Sequence, residues 1–322
     1  MKKIVLSLAL ALSFGGIVYA QSGKEINVSI DLKDVKDDKV MVTVTPPALD
    51  TETTTFFIPK IVPGTYSDDN YGKYIEGFKA FDKKGKELTV AKADDNSWRI
   101  ENAKKLAKVS YLVNDTYDIE TTHEIFSPSG TNIKANENFV LNTHGFVGYF
   151  DGKGEMPYKV TISHPATLWG ATSMVDTDAS AETDVFMSPR YADLVDHPIM
   201  YSKPDYTTFR VDDMDILISV YSPTGALTAK DITPEMETMM RAQKKFLGPI
   251  NSTKKYAILL YLTTGTPDDA KGFGALEHTT STTVVMPEMM PKEELLSTMK
   301  DVVSHEFFHI VTPLSVHSKE IH

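Results

Sequence analysis

The chain of 322 residues contains no cysteine, and it has fewer positive than negative side chains. The absence of cysteine excludes disulfide bonds and excludes lipid attachment of the lipoprotein type, so the fold depends on its hydrophobic core alone. The 44 acidic residues outnumber the 33 lysines and arginines, which gives a formal net charge of −11. Such a chain lacks the basic surface that binds nucleic acid, and it is weakly attracted to anionic lipid. We therefore predict no nucleic-acid partner.

One apolar run stands out, from Ile4 to Val18, directly after Met1-Lys-Lys. The run is too short for a comfortable membrane span. It ends at Val18-Tyr19-Ala20, which places small residues at the two positions that a signal peptidase reads. The pattern predicts a cleaved signal peptide at residues 1–20 and a mature chain that begins at Gln21. We expect an exported protein, periplasmic or secreted, without a stable membrane anchor.

Residues 21–228 are predicted to form a β-rich N-terminal domain. Ile26 to Leu32 and Val40 to Thr45 alternate apolar and polar residues, as half-buried strands do. Shorter β-prone segments continue this pattern, and turn-forming pairs such as Pro63-Gly64 separate them. Many short strands at this spacing predict an antiparallel β-sandwich.

Aromatic residues leave an alternative function open for this domain. Such side chains can line a groove for a sugar or a peptide, although packing in the core or at its rim is their more frequent role. The alternative is an extracytoplasmic peptide- or glycan-binding module, in which the helix that carries His305 and His309 is a vestigial metal site. The aromatic residues concerned are Tyr66, Tyr71, Tyr74 and Trp98. The histidines of this domain show no ligand spacing and are predicted to be structural or surface residues: His123, His144, His164 and His197.

Residues 229–322 are predicted to begin a second domain of α+β type. A helix is expected from Thr233-Pro234-Glu235 to Leu247, because threonine caps helices and proline suits a first turn. Tyr256 to Leu262 is a nearly continuous apolar strand, typical of a strand covered on both faces. Thr279 to Val285 is β-prone and is expected to be an edge strand. The fold class predicted for the whole chain is multidomain α+β.

The strongest chemical signal is the segment Ser304-His305-Glu306-Phe-Phe-His309. On a helix, His305 and His309 lie one turn apart on the same face and can bind one metal ion, while Glu306 is placed to take a proton from a water molecule at that metal. One zinc ion suits this set, because catalytic zinc takes three protein ligands and keeps one position free. A solvated surface helix is the alternative, but the apolar flanks of the motif argue against it.

These residues carry a resemblance to a known family. Gly274-Ala275-Leu-Glu277-His278, followed by the His305 helix, resembles the glycyl aminopeptidase family of zinc peptidases, which carries G-G-L-E-H-x-x-S ahead of S-H-E-F-F-H. Ala275 replaces the second glycine of that pattern. Looser similarities in the segments 58–66 and 191–196 extend the resemblance over most of the chain. It implies a β-rich N-terminal domain followed by a thermolysin-like catalytic domain.

The resemblance also implies roles for individual residues. His305 and His309 would be zinc ligands, and Glu306 would be the general base that later passes its proton to the leaving amine. The segment Gly274, Ala275 and Glu277 would bind substrate, with Glu277 holding the free α-amino group of a peptide. The expected function is that of a zinc-dependent aminopeptidase. Cleavage of N-terminally blocked peptides would instead indicate an endopeptidase.

The third zinc ligand of such peptidases is a glutamate on a later helix, and no suitable residue follows His309. Glu320 is too near in sequence, and His317 and His322 do not have the spacing of the alternative H-E-x-x-H-x-x-G-x-x-H pattern. The groups that usually stabilise the oxyanion are missing too. We expect the chain to be the N-terminal part of a longer peptidase, which commonly adds a PDZ-like domain. By itself the chain is expected to bind zinc poorly and to have little activity.

Overall fold

The computed structural model describes residues 25–65, 67–118, 125–248 and 253–311. In these residues twenty strands form four sheets, joined by four α-helices and short 3₁₀ turns. The fold is therefore β-rich with few helices. The predicted signal peptide, Tyr66, His123 and the tail from Thr312 lie outside the described residues.

The N-terminal unit, residues 25–203, contains three of the four sheets. Its strands are β1 (Ile26–Lys36), β2 (Lys39–Thr45), β3 (Thr53–Phe57), β4 (Ile75–Asp82), β5 (Glu87–Leu88), β6 (Val90–Asp94), β7 (Ser97–Glu101), β8 (Leu106–Asn114), β9 (Asn132–Lys134), β10 (Asn138–Leu141), β11 (Tyr149–Phe150), β12 (Tyr158–Ser163), β13 (Trp169–Ala171), β14 (Thr183–Ser188) and β15 (Ile199–Ser202). Two short helices belong to it, α1 (Thr143–Phe146) and α2 (Tyr191–Val195).

The largest sheet of this unit has seven strands in the order β14-β12-β1-β2-β8-β4-β5. Alternation buries Ile26, Val28 and Ile30 of β1 in the core and leaves the residues between them exposed or half-buried. The pairs in this sheet are antiparallel except one, because β1 runs parallel to β12. The prediction of a wholly antiparallel unit is wrong at this pair, since pairing partners far apart in sequence leave no local signal. The sandwich arrangement stays a prediction.

The other two sheets of the N-terminal unit have four strands each. Their orders are β13-β15-β10-β9 and β11-β3-β7-β6. A cluster of packed aromatic rings lies between the strands, with Phe78 stacked on Trp98 at 4.8 Å and Phe56 edge-on to Phe150 at 5.0 Å between ring centroids. Because Tyr71, Tyr74 and Trp98 are all buried in this core, they cannot line an open groove.

The C-terminal unit, residues 206–311, is one mixed sheet with two long helices. Its order is β16-β17-β18-β20-β19, with the three middle strands parallel to one another. The predicted boundary at residue 228 stays a prediction, although strands from both sides of it pair in this sheet. The elements are β16 (Tyr206–Val211), β17 (Met214–Tyr221), α3 (Ala229–Leu247), β18 (Lys255–Thr263), β19 (Gly274–Glu277), β20 (Ser281–Pro287) and α4 (Lys292–Phe307).

The outer strand next to α4 differs from the prediction. Thr279 to Val285 was expected at the edge, but β20 lies inside the sheet between β18 and β19. The edge is the four-residue strand β19, which pairs antiparallel with β20. Gly274 adopts φ +148°, a conformation that side-chain-bearing residues rarely take. A strand this short that begins with glycine has too little β-propensity to be recognised in a sequence.

Helix α3 begins earlier than expected. Thr228 caps it and forms a capping box with Asp231, so the helix starts at Ala229 and Pro234 lies inside it. In a capping box the two side-chain oxygens accept hydrogen bonds from backbone N–H groups at the start of the helix. This stabilises a start at Ala229, ahead of the start that Pro234 had indicated. The predicted end near Leu247 is confirmed.

Helix α4 forms as the motif predicts and packs on the sheet through one stripe of residues. Leu295, Met299, Val303 and Phe307 recur at a spacing of one turn and are buried in the core of the C-terminal unit. The α-helix ends at Phe307 and tightens into a 3₁₀ turn over Phe308–Ile310. The predicted stop at Pro313 lies outside the described residues. No helix of the described part is long and apolar enough to cross a membrane.

The two units are joined by polar contacts around a 3₁₀ turn, Ser127–Ser129. The hydroxyl of Ser127 accepts a hydrogen bond from the backbone N–H of Gly272 at 2.9 Å. The Thr283 hydroxyl of β20 donates to the Pro128 carbonyl at 2.7 Å. These contacts fix the β19–β20 edge against the N-terminal unit, so both units contribute to the space in front of that edge.

Candidate metal and substrate site

The motif residues come together at the end of α4. His305 and Glu306 lie in the last turn of the helix, and His309 follows in the 3₁₀ turn. The rings of His305 and His309 are 5.5 Å apart between centroids. One ligand atom from each of His305, Glu306 and His309 can be chosen so that all three atoms lie within 4.8 Å of one another. The two imidazoles therefore remain together although His309 lies in the 3₁₀ turn.

Glu306 is the buried member of this group. It is 7 % exposed, and its Oε2 atom has no hydrogen-bond partner among the described residues. Burial, together with the negative charge of nearby Glu277, raises the pKa of Glu306 to about 7. A carboxyl whose pKa lies near neutrality can both accept and release a proton under physiological conditions.

The donor set fits zinc. Two imidazoles and a neighbouring carboxylate are ligand types that zinc prefers, and a buried carboxylate oxygen without a partner is what an ion or its water would satisfy. In the part of the chain that the structure describes, no further histidine or acidic side chain joins the group. His305 and His309 would hold the ion, and Glu306 lies beside it.

Glu277 lies at the end of the edge strand β19, close to Glu306. Gly274 and Ala275 precede it on the same strand, and Ala275 packs against the core of the C-terminal unit. Within the described residues no hydrogen bond or ion pair engages the Glu277 carboxylate. It is half-buried and close enough to Glu306 to raise the pKa of that residue. Its carboxylate is thus available to a cationic ligand.

A loop of the N-terminal unit, Pro59–Thr65, covers Glu277. A Cβ atom placed on Gly64 would lie 2.8 Å from Oε1 of Glu277 and 2.9 Å from Cδ1 of Leu276. Gly64 also has φ +91°, where glycine is favoured. The sequence indicated a turn at Pro63-Gly64 but not its contact with the site, because the two segments are far apart along the chain.

Tyr256 is a further residue that sequence reasoning missed. It lies on β18, fully buried, with its ring edge-on to Phe307 at 5.1 Å. Burial and the charges of Glu306, Asp196 and Glu277 raise the pKa of Tyr256 well above its ordinary value, so the hydroxyl stays protonated. Tyr256 lies in a nearly continuous apolar run, and such a run indicates residues of the core and not of a functional site.

The described histidines of the N-terminal unit are hydrogen-bonded, as expected for structural residues. Nε2 of His144 contacts the Ser129 carbonyl at 2.9 Å, and Nδ1 of His164 contacts that of Pro165 at 3.1 Å. Nδ1 of His197 contacts the carbonyl of Asp193. His144 nevertheless lines the pocket that contains Glu277.

His144 gives the protein a specific acid sensitivity. Burial and the nearby charge of His278 lower the pKa of His144 from 6.5 to about 4. Between pH 6.5 and about 4, His144 therefore binds a proton in the unfolded chain but not in the folded chain. The free energy of unfolding falls as the pH drops through this range, by up to about 3 kcal/mol. The urea concentration at the midpoint of unfolding should fall between pH 7 and pH 4.5, and we expect this fall to be smaller in His144→Gln.

The control for this prediction is His164→Gln. Contacts with Asp184 and the Pro165 carbonyl outweigh burial and raise the pKa of His164, so its contribution to stability has the opposite sign. His164→Gln should not reduce the acid-induced loss. An unchanged pH dependence in His144→Gln would contradict the assignment to His144.

The comparison with known families addresses the N-terminal unit. A family model described as the peptidase M61 N-terminal domain matches residues 27–203, more than half of the chain. The chain belongs to the peptidase M61 family. The M61 assignment agrees with the predicted peptidase resemblance at this coarser level, while preference for a glycyl terminus stays a prediction.

A solved structure shows the same fold as the M61 chain. The chain is similar to an aminopeptidase N family protein from Idiomarina loihiensis, with a TM-score of 0.72 and 19 % identity over 88 % of the chain. The M61 chain spans about half of that structure, 47 % of its length. A two-domain M1 zinc metallopeptidase, solved as an E323A mutant bound to L-arginine, is more distant, with a TM-score of 0.45 and 12 % identity over 89 % of the chain and 64 % of that structure. No curated protein sequence matches the M61 chain.

Proposed function

We propose that this M61 chain belongs to an exported zinc-dependent aminopeptidase, which hydrolyses the first peptide bond of a peptide with a free amino terminus. One observation carries the proposal. The ligand atoms of His305, Glu306 and His309 cluster within 4.8 Å, and a second carboxylate without a partner, Glu277, lies close to them. The first group suits a metal and a base, and the second suits an ammonium ion.

His305 and His309 would hold the zinc. A zinc ion bound there supplies a Lewis acid that makes water more acidic and polarises a peptide carbonyl. Catalytic zinc takes three protein ligands. We propose that the third ligand comes from outside the described residues.

Glu306 performs the proton transfers in this proposal. Its carboxylate accepts the proton of the attacking water and then donates it to the nitrogen of the departing peptide. Its burial and its unpartnered Oε2 atom support this role, because they leave an oxygen beside the metal-binding histidines to take up the proton and release it again. Because Glu306 is itself buried, electrostatic contacts of its carboxylate are screened less by water than those of an exposed group.

Glu277 positions the substrate. An ammonium ion paired with this carboxylate places the first peptide bond at a fixed distance from Glu306, and such orientation lowers the barrier of the reaction. The free edge of β19 can add backbone hydrogen bonds to an extended peptide. The buried positions of Tyr71, Tyr74 and Trp98 give no support to the alternative of a binding module with an aromatic groove.

A pair of peptides tests the proposal. The full-length protein should cleave a short peptide with a free amino terminus and should leave its N-acetylated form largely intact. Removal of zinc with a chelator should abolish the cleavage, and added zinc should restore it, as followed by liquid chromatography of the products and by metal analysis. Equal cleavage of both peptides would indicate an endopeptidase, and cleavage that persists without metal would overturn the proposal.

A further inference from the structure

A pocket opens directly beside Glu277, between the two units. Its open mouth included, it contains about 680 Å³ of empty space. One wall is the loop at residues 59–63, a second is the segment from Arg190 to Asp196, and a third is the end of β19. The pocket is thus assembled from three segments that are remote in sequence.

The charges that line this pocket are mostly negative. Arg190 is its one cationic residue among those described, and three carboxylates face it: Asp193, Asp196 and Glu277. Arg190 is bound by Asp193, with Nε 3.0 Å from Oδ2. Asp196 and Glu277 therefore remain without a cationic lysine or arginine partner in the described part of the pocket. Two carboxylates in one pocket repel each other unless a cation lies between them.

Asp196 is held in place by the segment that follows β19. The backbone N–H of Thr279 donates to Oδ2 of Asp196 at 3.1 Å, and Nδ1 of His278 lies 3.3 Å from Oδ1. These contacts outweigh burial and lower the pKa of Asp196, so the group is ionised at neutral pH. The Asp196 side chain is still 26 % exposed, which leaves part of the carboxylate open to the pocket.

Asp196 also belongs to the same electrostatic surroundings as the base. The charges of Glu306, Asp196 and Glu277 all act on the buried residue Tyr256, so the three carboxylates lie in one region of the protein. His278, whose imidazole is buried, faces Asp196 and keeps its carboxylate from rotating. A ligand bound between Asp196 and Glu277 is therefore near the reacting carboxylate.

We propose that Asp196 of the N-terminal unit is a second specificity-determining carboxylate, which binds the α-ammonium group of the substrate together with Glu277, while His278 positions it. The proposal rests on the aminopeptidase function. An ammonium group has three N–H donors, so it can bind two carboxylates of one pocket at once. An N-acetylated terminus has neither the charge nor the donors and leaves both carboxylates unpaired.

Asp196→Asn in the full-length protein tests this proposal. The variant keeps an oxygen for the Thr279 N–H and removes the charge. We expect KM for a free-amine peptide to rise about tenfold, as for the loss of one charged hydrogen bond, with kcat changed by less than about twofold. The preference for free over N-acetylated peptide should fall about tenfold as well.

The matched control is Asp184→Asn. Asp184 forms the other buried pair with a histidine, 3.4 Å from His164, but it lies on β14 and does not line the pocket. The Asp184→Asn variant should leave unchanged both KM and the preference for free over N-acetylated peptide. A wild-type KM and preference in Asp196→Asn, or equal losses in both variants, would overturn the proposal.

Ala192→Lys tests the same site without altering either carboxylate. Ala192 is half-buried on α2 and lines the pocket, so a lysine there brings an ammonium group to the wall that carries Asp196. We expect it to raise KM for free-amine peptides, and we expect the uncharged Ala192→Gln to do so much less. Equal KM values in the two variants would contradict a cation-binding pocket.

Binding of alaninamide separates this proposal from the aminopeptidase function. If the wild-type protein cleaves no peptide, the proposed aminopeptidase function is wrong. Calorimetry with alaninamide and N-acetylalaninamide then tests whether the pocket binds an ammonium group. Binding of the free amine alone, weakened about tenfold in Asp196→Asn, supports the two-carboxylate site. No binding, or equal binding by wild type and variant, overturns it.

Discussion

Glu306→Gln is expected to lower kcat for a free-amine peptide by about 10²–10⁴-fold while zinc remains bound. The amide has nearly the shape of the carboxyl but cannot accept the proton of the attacking water. The ligands His305 and His309 are unchanged, so metal content should stay at the wild-type value. Initial rates and metal analysis of the same preparation measure both quantities.

Glu294→Gln is the matched control for this variant. Glu294 lies on the same helix, α4, but it is exposed in the first turn and remote from the motif. The control should keep wild-type activity and zinc. If Glu306→Gln were as active as the control, Glu306 would not be the base, and loss of zinc in the variant would show that Glu306 acts as a ligand.

Gly64→Ala should raise KM for free-amine peptides by about 10- to 100-fold. The new Cβ would lie 2.8 Å from Oε1 of Glu277, so either the carboxylate or the loop has to move. Displacement removes a charged hydrogen bond to the substrate, which is worth about 1.5–3 kcal/mol. N-acetylated peptides do not use this bond, so their slow cleavage should not change. Michaelis–Menten curves on the two substrates measure the difference.

Gly85→Ala separates displacement from backbone strain. Gly85 also has a positive φ, +77°, but no atom lies within 4 Å of the Cβ it would gain. Both alanine variants carry a backbone that alanine disfavours, with a cost of about 1 kcal/mol or more in stability. Only Gly64→Ala should alter KM. Equal effects on KM would mean that the loop over Glu277 does not position the carboxylate.

Helix α4 and the spacing of its motif could be predicted from the sequence because their signals are local. Leu295, Met299 and Val303 recur at the helical period, and two histidines at a spacing of four residues share one face. The strands Ile26–Lys36 and Lys39–Thr45 were equally readable from their alternation. Within such elements, residue spacing alone determines which side chains meet.

The rest of the candidate site could not be predicted, because it depends on contacts between distant segments. Glu277 could be named only through the family resemblance. Gly64 and Asp196 come from two other parts of the chain, and no periodicity links them to it. The edge strand was misplaced for a similar reason, since the four residues of β19 become a strand only by pairing with β20. Pairing across a sheet is a tertiary effect that overrides weak local propensity.

The parallel pairing of β1 with β12 imposes an order in time on the largest sheet. Ile26 faces Tyr158 across this pair, so the first strand of the unit has no partner on that side until residues near 160 have left the ribosome. Hairpin neighbours such as β2 can associate with it at once, whereas the parallel contact must close a long loop and is slow to form. During that interval the unpaired N–H and C=O groups of β1 can form hydrogen bonds with another chain and promote aggregation. The first strand of this protein therefore stays open to incorrect pairing until β12 has formed.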